Sequence, residues 1–140
     1  MGLDMYLRAK TTKRDYTGAT GACGGLFTMA PEDNGMVEIG YWRKAYDQQA
    51  LFTEVISSFD SGHDNCVHFK VEKNEIEEII ETAKAILAEV EFDEDGSDPT
   101  SEYYTAFSQD KWIDTVEYFT EALKILEEDP EAEIYYCQWS

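Results

Sequence analysis

The chain has 140 residues, of which 43% are apolar and 14% aromatic, so it can bury a core and is not a wholly disordered polypeptide. A formal net charge of -19 results from 30 acidic and 11 basic side chains. The sequence has no apolar run of the roughly 20 residues that a membrane-spanning helix needs, and its cysteines are too scattered for a disulfide framework. We therefore expect one domain, residues 1–140, that works in the cytoplasm without a membrane and without a cofactor.

The negative charge is concentrated in the second half of the chain. Residues 71–140 hold 21 acidic and 4 basic side chains, a net charge of -17, whereas residues 1–70 have a net charge of -2. Such a surface repels nucleic acid and anionic membranes and attracts basic proteins. The charge therefore argues against direct nucleic-acid binding and favours a protein partner with a basic surface.

Alternating hydropathy predicts the strands. Leu3 and Met5 begin a run in which apolar and polar residues alternate, which indicates a strand with one buried face. A Gly-rich segment follows at residues 11–35 and is expected to be a flexible loop. The same alternation predicts strands over residues 3–9, 36–42, 66–71 and 133–139.

Apolar residues at helical spacing predict three helices. The first runs from Trp42 to Phe59, and the third covers residues 109–127. The second begins at Asn74 as its N-cap, with Glu77 completing a capping box. The side chains expected in the core from the C-terminal part are Trp112, Val116, Phe119, Leu123, Leu126 and Trp139. This order of elements predicts an α+β fold, a small mixed or antiparallel sheet of about four strands packed with about three helices.

Four segments stand out as motifs: MGLDMYL at residues 1–7, EIGYWRKA at 38–45, a turn with Gly62, Asp64 and Cys66, and YYCQW at 135–139. Together they resemble a family of small proteins found in bacteriophages and prophages, whose members open MGLDMYL and carry YWRKAN. The resemblance implies a phage-encoded protein but no catalytic residue. The chain departs from the family pattern at Tyr46, Gln49 and Leu51, where the pattern has Asn, His and Trp. If that pattern forms a polar pocket, this chain has lost part of it, which favours a surface role.

The segment EFDEDGSDPTSE, residues 91–102, has two interpretations. Carboxylates stand at positions one, three, five and twelve of a calcium loop, with Gly96 at the turn. Position eight is Asp98, where calcium loops are apolar, and no second loop is present. We expect an acidic loop that forms part of a larger anionic surface, and calcium binding is the alternative. Its ligands would be Glu91, Asp93, Asp95 and Glu102.

His63, Cys66 and His68 form a second cluster, whose residue types suggest a zinc site or a Cys–His nucleophile pair. No fourth ligand follows at zinc-finger spacing. We expect a buried Cys66 beside a surface His68 and no chemistry at either.

The predicted third helix carries a stripe of like charge. Its carboxylates recur at i, i+4, i+7 and i+11, so neighbours are about 5–6 Å apart and repel one another. Lys111 and Lys124 are the basic residues of this helix. With the acidic loop and two tyrosines as an aromatic anchor, the stripe predicts a surface that imitates a nucleic-acid backbone; the alternative is charge that serves only solubility or a high-salt host. The partner-binding residues are Asp93, Glu94, Asp95, Asp98, Tyr103, Tyr104, Asp110, Asp114, Glu117 and Glu121.

The motif YWRK offers a different kind of site. Its members, Tyr41, Trp42, Arg43 and Lys44, would line a pocket in which the basic pair binds a phosphate of a small molecule or nucleotide. The alternative is that Trp42 belongs to the core and that Arg43 and Lys44 only start a helix.

Together with the phage origin that the resemblance implies, these patterns predict a non-enzymatic protein of the anti-CRISPR or anti-restriction type, which binds and inhibits a host defence protein that handles nucleic acid. The partner would be a host protein with a basic nucleic-acid-binding surface. The two alternatives are a small-molecule or nucleotide-binding protein and a calcium-binding module.

Overall fold

The structure, a computed structural model, describes residues 3–11, 36–60, 67–101 and 107–139. Within these residues the elements are β1 (Asp4–Lys10), β2 (Val37–Arg43), α1 (Tyr46–Val55), β3 (Phe69–Lys70), α2 (Lys73–Glu89), α3 (Ser108–Glu128) and β4 (Glu133–Trp139). The four strands form one antiparallel sheet in the order β2-β1-β4-β3. The predicted α+β fold is confirmed, and of the two sheet types that the sequence left open the antiparallel one is present.

The central strands β1 and β4 have the alternation that the sequence predicted. Met5 and Leu7 of β1 are fully buried, and the register sets them opposite Gln138 and Tyr136 of β4. Successive side chains of a strand point to opposite faces, so these four residues share the face that the helices cover. The observed limits of β4 match the predicted strand over residues 133–139.

The helices cover this face around a cluster of aromatic rings. Trp42 of β2 contacts Phe52 of α1 and Phe119 of α3, with ring centroids 5.1 and 5.9 Å apart. Phe52 in turn contacts Tyr136 of β4 at 5.6 Å. Helix α2 packs against α3 and adds Ile76 and further apolar side chains to the same core. The core therefore lies between the sheet and one layer of helices.

The predicted first helix is too long at its start, because Trp42 belongs to strand β2. Lys44 adopts a left-handed φ of 55°, and its N–H donates to the carbonyl oxygen of Leu3 at 2.6 Å. This turn separates β2 from α1, which begins at Tyr46. Trp42 fits a helical stripe and a strand alternation equally well, so the sequence assigned it both to the strand over residues 36–42 and to the first helix.

The start of α2 has a capping box, but it uses Glu72 and Glu75 rather than Asn74 and Glu77. The Glu72 N–H donates to Glu75 Oε1 at 2.9 Å, and the Ser57 N–H donates to Glu75 Oε2 at 3.0 Å. Burial raises the pKa of Glu75, but these hydrogen bonds outweigh burial and the pKa lies below its usual value. The Glu75 carboxylate therefore completes the capping box of α2 and also binds the backbone of the turn after α1.

Helix α3 buries a broader face than the predicted stripe. Trp112 and Phe119 are buried as predicted. The other predicted positions, Val116, Leu123 and Leu126, are only partly buried. Because α3 packs against both β2 and α2, residues on a second line of the helix are buried instead. These are Thr115, Ala122 and Ile125.

Two predictions fail at the strand ends. Trp139 is not in the core: it is 49% exposed, because the register pairs it with Asp4 on the face that points away from the helices. Strand β3 is shorter than the predicted strand over residues 66–71 and contains only Phe69 and Lys70. Its neighbour Val71 adds one more bond, from its N–H to the carbonyl oxygen of Ile134 at 2.8 Å.

Some predicted features lie outside the described residues. They include all of the Gly-rich segment except Thr11, together with His63, Cys66, Glu102, Tyr103 and Tyr104. The flexible loop and the single domain over residues 1–140 therefore stay predictions. Among the helices that the structure describes, none combines the length and the apolarity needed to cross a membrane.

Candidate functional site

The acidic stripe of α3, consisting of Asp110, Asp114, Glu117 and Glu121, lies on the side of the helix away from the core. Asp110 and Glu117 are exposed, and the other two side chains are partly exposed. The pKa of Asp114 is raised, first by its partial burial and then by the carboxylates of Glu117 and Asp110. The negative charges of the stripe are therefore close enough to repel one another, as the helical spacing predicted.

Tyr118 of α3 connects the acidic stripe to the edge strand β2. Tyr118 packs over β2, and burial followed by the charges of Asp114, Glu117 and Glu38 raises its pKa to about 12. Glu38 is a residue of β2. The Tyr118 ring therefore lies near charges of both the stripe and Glu38, although Glu38 itself is buried.

The described part of the acidic loop lies next to the start of α3. The N–H of Gln109, in the first turn of α3, donates to the carbonyl oxygen of Gly96 at 2.7 Å. Gly96 has a φ of 83°, a left-handed conformation that suits glycine. The side chains of Asp93, Glu94 and Asp95 are exposed, and Asp98 is partly exposed. The structure therefore brings the loop carboxylates and the stripe together at one end of α3.

The loop carboxylates are used in turns rather than in a cage for a metal ion. Asp95 Oδ1 accepts the N–H of Ser97 at 3.0 Å, and Asp98 Oδ1 accepts both the N–H and the hydroxyl of Thr100. Within the described ranges, no three His, Cys, Asp or Glu side chains form a group that could hold a metal ion. The predicted calcium ligands Glu91, Asp93 and Asp95 thus do not converge, and Glu102 lies outside the described residues.

The residues of the YWRK motif do not converge on one pocket. Trp42 is 2% exposed and donates its indole N–H to Thr115 Oγ1 at 3.0 Å inside the core. Tyr41 and Arg43 lie on the opposite face of β2, where the Tyr41 hydroxyl donates to Asp4 Oδ1 at 2.6 Å. The predicted ligand pocket is therefore not formed by these four residues, because strand alternation separates Trp42 from its neighbours.

A cluster that the sequence did not predict lies on the sheet face opposite the helices. Arg8 of β1 stands opposite Glu38 of β2, and its guanidinium lies 4.7 Å from the centre of the Tyr6 ring. The Arg8 Nη1 reaches across β4 and donates to His68 Nε2 at 2.7 Å. We call Tyr6, Arg8, Glu38, Tyr41 and His68 the sheet-face cluster.

The sheet-face cluster holds buried charges. Arg8 is 8% exposed and Glu38 is 2% exposed. Burial raises the pKa of Glu38 to about 7, although the positive charge of Arg8 acts in the opposite direction. The Nε of Arg8 is buried and has no hydrogen-bond partner in the described part of the chain. His68, expected at the surface, is partly buried and accepts a hydrogen bond from Arg8.

The two sites differ in what they can do chemically. The stripe and loop present exposed carboxylates that suit a basic protein surface, whereas the sheet-face cluster presents a desolvated guanidinium among tyrosines. The sequence signal that could have indicated the sheet-face cluster is the presence of charged residues at alternate positions of a predicted strand. Comparison with protein-family models, with curated proteins and with solved structures finds no match for this chain.

Proposed function

We propose that this chain is a phage-encoded, non-enzymatic protein that binds a host protein through the anionic surface formed by the α3 stripe and the acidic loop. The partner would be a protein of a host defence system, of the CRISPR or restriction type, and the binding would occupy its basic nucleic-acid-binding surface. The site of action would be the host cytoplasm. The phage origin rests on the resemblance of the four sequence motifs.

The observation that carries the proposal is the position of Asp114 between Asp110 and Glu117. Partial burial and then these carboxylates raise its pKa, so the folded protein holds like charges together at an energetic cost. An ordinary solvated helix face avoids that cost by placing lysines between the acids. A surface that keeps its repulsion in the free state gains when a basic partner neutralises it.

The acidic loop adds further carboxylates to this anionic surface. The bond from the Gln109 N–H to the Gly96 carbonyl oxygen places Asp93, Glu94 and Asp95 beside the first turn of α3. Carboxylates from a loop and a helix are thereby presented together, as phosphates from two strands are along a groove. Their arrangement supports a rigid surface more than a mobile acidic tail.

The first experiment is an affinity capture of the tagged protein from host lysate at low and at high salt, with mass spectrometry of the bound proteins. We expect a nucleic-acid-binding host protein that is released as the salt concentration rises, because screening weakens exposed charge pairs. Capture of nothing at either salt concentration would contradict the proposal.

Charge reversal then tests the surface itself. The variant Asp110→Lys/Asp114→Lys/Glu117→Lys reverses the charge of the stripe at exposed or partly exposed positions of α3, so it should fold and lose the partner. A matched control, Glu77→Lys/Glu78→Lys/Glu81→Lys, makes the same change of net charge at exposed positions of α2. Retention of the partner by the control and loss by the α3 variant would support the α3 surface. Equal loss with both variants would mean that only net charge matters.

A second candidate function is binding of a small anionic or nucleotide ligand at the sheet-face cluster. The observation that favours it is Arg8, a buried guanidinium beside the Tyr6 ring whose Nε has no partner among the described residues. Aromatic rings and a guanidinium are the groups that bind a base and a phosphate. A rise in melting temperature with nucleotides that disappears in Arg8→Gln and persists in Arg43→Gln would support this function.

A further inference from the structure

A cavity of about 320 Å³ lies between α1, the end of α2, the acidic loop and the start of α3. Leu51 of α1, Ile86 and Val90 at the end of α2, and Trp112 of α3 provide its apolar lining. This volume is at the lower end of the range of small-ligand pockets, so it suits one side chain or a small molecule.

The lining also includes three acidic side chains. Asp47 and Glu54 of α1 and Asp98 of the acidic loop contribute carboxylates. Lys111 is close enough to Asp47 for the two charges to attract, and burial lowers the pKa of this lysine. Lys111 does not itself line the cavity, so the described lining carries three carboxylates and no basic side chain, an excess of negative charge.

One carboxylate oxygen of Asp47 accepts no hydrogen bond from the described residues. Its Oδ1 accepts the hydroxyl of Ser101 at 2.6 Å, whereas its Oδ2 is buried and has no hydrogen-bond partner among the residues that the structure describes. A buried carboxylate oxygen without a donor is unfavourable. A donor entering the cavity between α1 and the loop would supply the missing hydrogen bond.

We propose that this cavity binds an organic cation, an ammonium or guanidinium group carried on an aliphatic stem of about three or four methylene groups, as in lysine and arginine. The stem would lie along Leu51, Ile86 and Trp112, and the cationic group would meet Asp47 and Glu54. The carboxylates disfavour an anionic ligand, and the apolar lining disfavours a hydrated metal ion.

The cation has two sources, a side chain of a basic protein partner or a free amine. Only the first of these rests on the proposed function. Asp98 belongs both to this cavity and to the anionic surface, so a partner docked on that surface would have a basic side chain within reach. The cavity would then anchor one lysine or arginine while the stripe attracts the remaining basic surface.

The test is a titration of the isotope-labelled protein with four small probes, followed by NMR. The probes are n-pentylammonium, Nα-acetyl-lysine methylamide, pentanol and pentanoate. We expect both amines to shift the indole N–H signal of Trp112, assigned with Trp112→Phe, with a Kd of about 1 mM. Pentanol and pentanoate should leave it in place. Equal shifts with pentanol, or no shift with either amine, would overturn the proposal.

Amino-acid substitutions test whether Asp47 and Glu54 bind the cationic group. Asp47→Asn/Glu54→Gln keeps the shape of both side chains and should weaken amine binding at least about tenfold, because two attractive charges are lost. Lys111→Gln should tighten it several-fold. The matched control Glu77→Gln/Glu81→Gln changes the net charge equally on the exposed face of α2. A loss of amine binding in the control as large as in the cavity variant would contradict the assignment.

The host-partner assay then identifies the source. If Asp47→Asn/Glu54→Gln retains less of the captured partner, the cation is a side chain of that partner. If it retains the partner fully but loses the amines, the natural ligand is a free amine. Failure of the α3 charge reversal to affect the partner would overturn the proposed function and leave the amine titration as the independent test of the cavity.

Discussion

The ring of Tyr118 lies directly over Gly40, and a Cβ atom on residue 40 would come within 2.6 Å of the ring atoms Cγ and Cδ2. The ring has little room to move away, because it also packs edge-on against Trp42 with centroids 5.1 Å apart. The absence of a side chain at residue 40 thus allows α3 to approach the edge strand β2. Tyr118 is also near enough to Asp114, Glu117 and Glu38 for their charges to add to the effect of burial in raising its pKa.

Replacement of Gly40 by alanine should lower the free energy of unfolding by about 1–3 kcal/mol, the usual cost of forcing extra atoms into a packed contact. In a strand without a positive φ, alanine would otherwise stabilise by limiting the unfolded chain. Denaturant unfolding measures the change. The double variant Gly40→Ala/Tyr118→Ala should show a strongly non-additive effect. A Gly40→Ala protein as stable as the parent would disprove the contact.

Glu38 should make stability depend on pH in a particular direction. Its pKa is about 7 in the folded protein against 4.5 as the usual value, so the folded state binds this proton more tightly. The contribution of Glu38 is therefore favourable at low pH and is lost as the pH rises through 7. Glu38→Gln should stabilise the protein by about 1–3 kcal/mol at pH 8, and by little near pH 4.5, when the difference from the parent is measured by denaturant unfolding. Glu77→Gln, at an exposed site, is the control. An effect of Glu38→Gln that is the same at both pH values would contradict this reading.

Replacement of Gln48 by methionine should stabilise the folded protein. The side chain is fully buried in α1, and its Oε1 and Nε2 have no hydrogen-bond partner within the described residues. Methionine has a similar shape without the polar atoms, so we expect a gain of about 1–2 kcal/mol in a thermal or denaturant unfolding experiment. Its neighbour Gln49 provides the matched control, because its Nε2 donates to Gln138 Oε1 at 3.2 Å. A gain with Gln49→Met instead of Gln48→Met would refute the argument.

Thr115 should be required as the acceptor for the buried indole of Trp42. Thr115→Val keeps the shape but leaves the Trp42 N–H without its bond of 3.0 Å, at a cost of about 1–3 kcal/mol. Thr115→Ser keeps the hydroxyl and should be closer to the parent in unfolding experiments that follow tryptophan fluorescence. A serine variant that is less stable than the valine variant would show that methyl packing, and not the hydrogen bond, matters here.

Sequence patterns predicted the elements well where one period was unambiguous. The alternation in β1 and β4 and the presence of a second helix with apolar residues at helical spacing were confirmed. Trp42 was assigned both to a strand and to a helix because it fits both periods, and the start of α2 was misplaced because its capping box uses Glu72, a less common cap than asparagine. Local patterns are reliable until two of them compete for the same residue.

The candidate sites were predictable to different degrees. The stripe from Asp110 to Glu121 was found from sequence, because all its members lie on one helix and helical spacing sets their separation. The sheet-face cluster was not found, because Arg8, Glu38 and His68 belong to three separate segments. The cavity beside Trp112 was not found either, since three helices and a loop form it.

By itself, the sequence determined the α+β composition and the anionic second half of this protein, because periodicity and charge are properties of short segments. Only the tertiary structure decided which charges meet. A shift of register between Leu7 and Arg8 sets Arg8 opposite Glu38, and the bond from Gln109 to Gly96 sets the acidic loop beside α3. Such pairings depend on contacts between distant segments, whose free energies arise only when the core is packed.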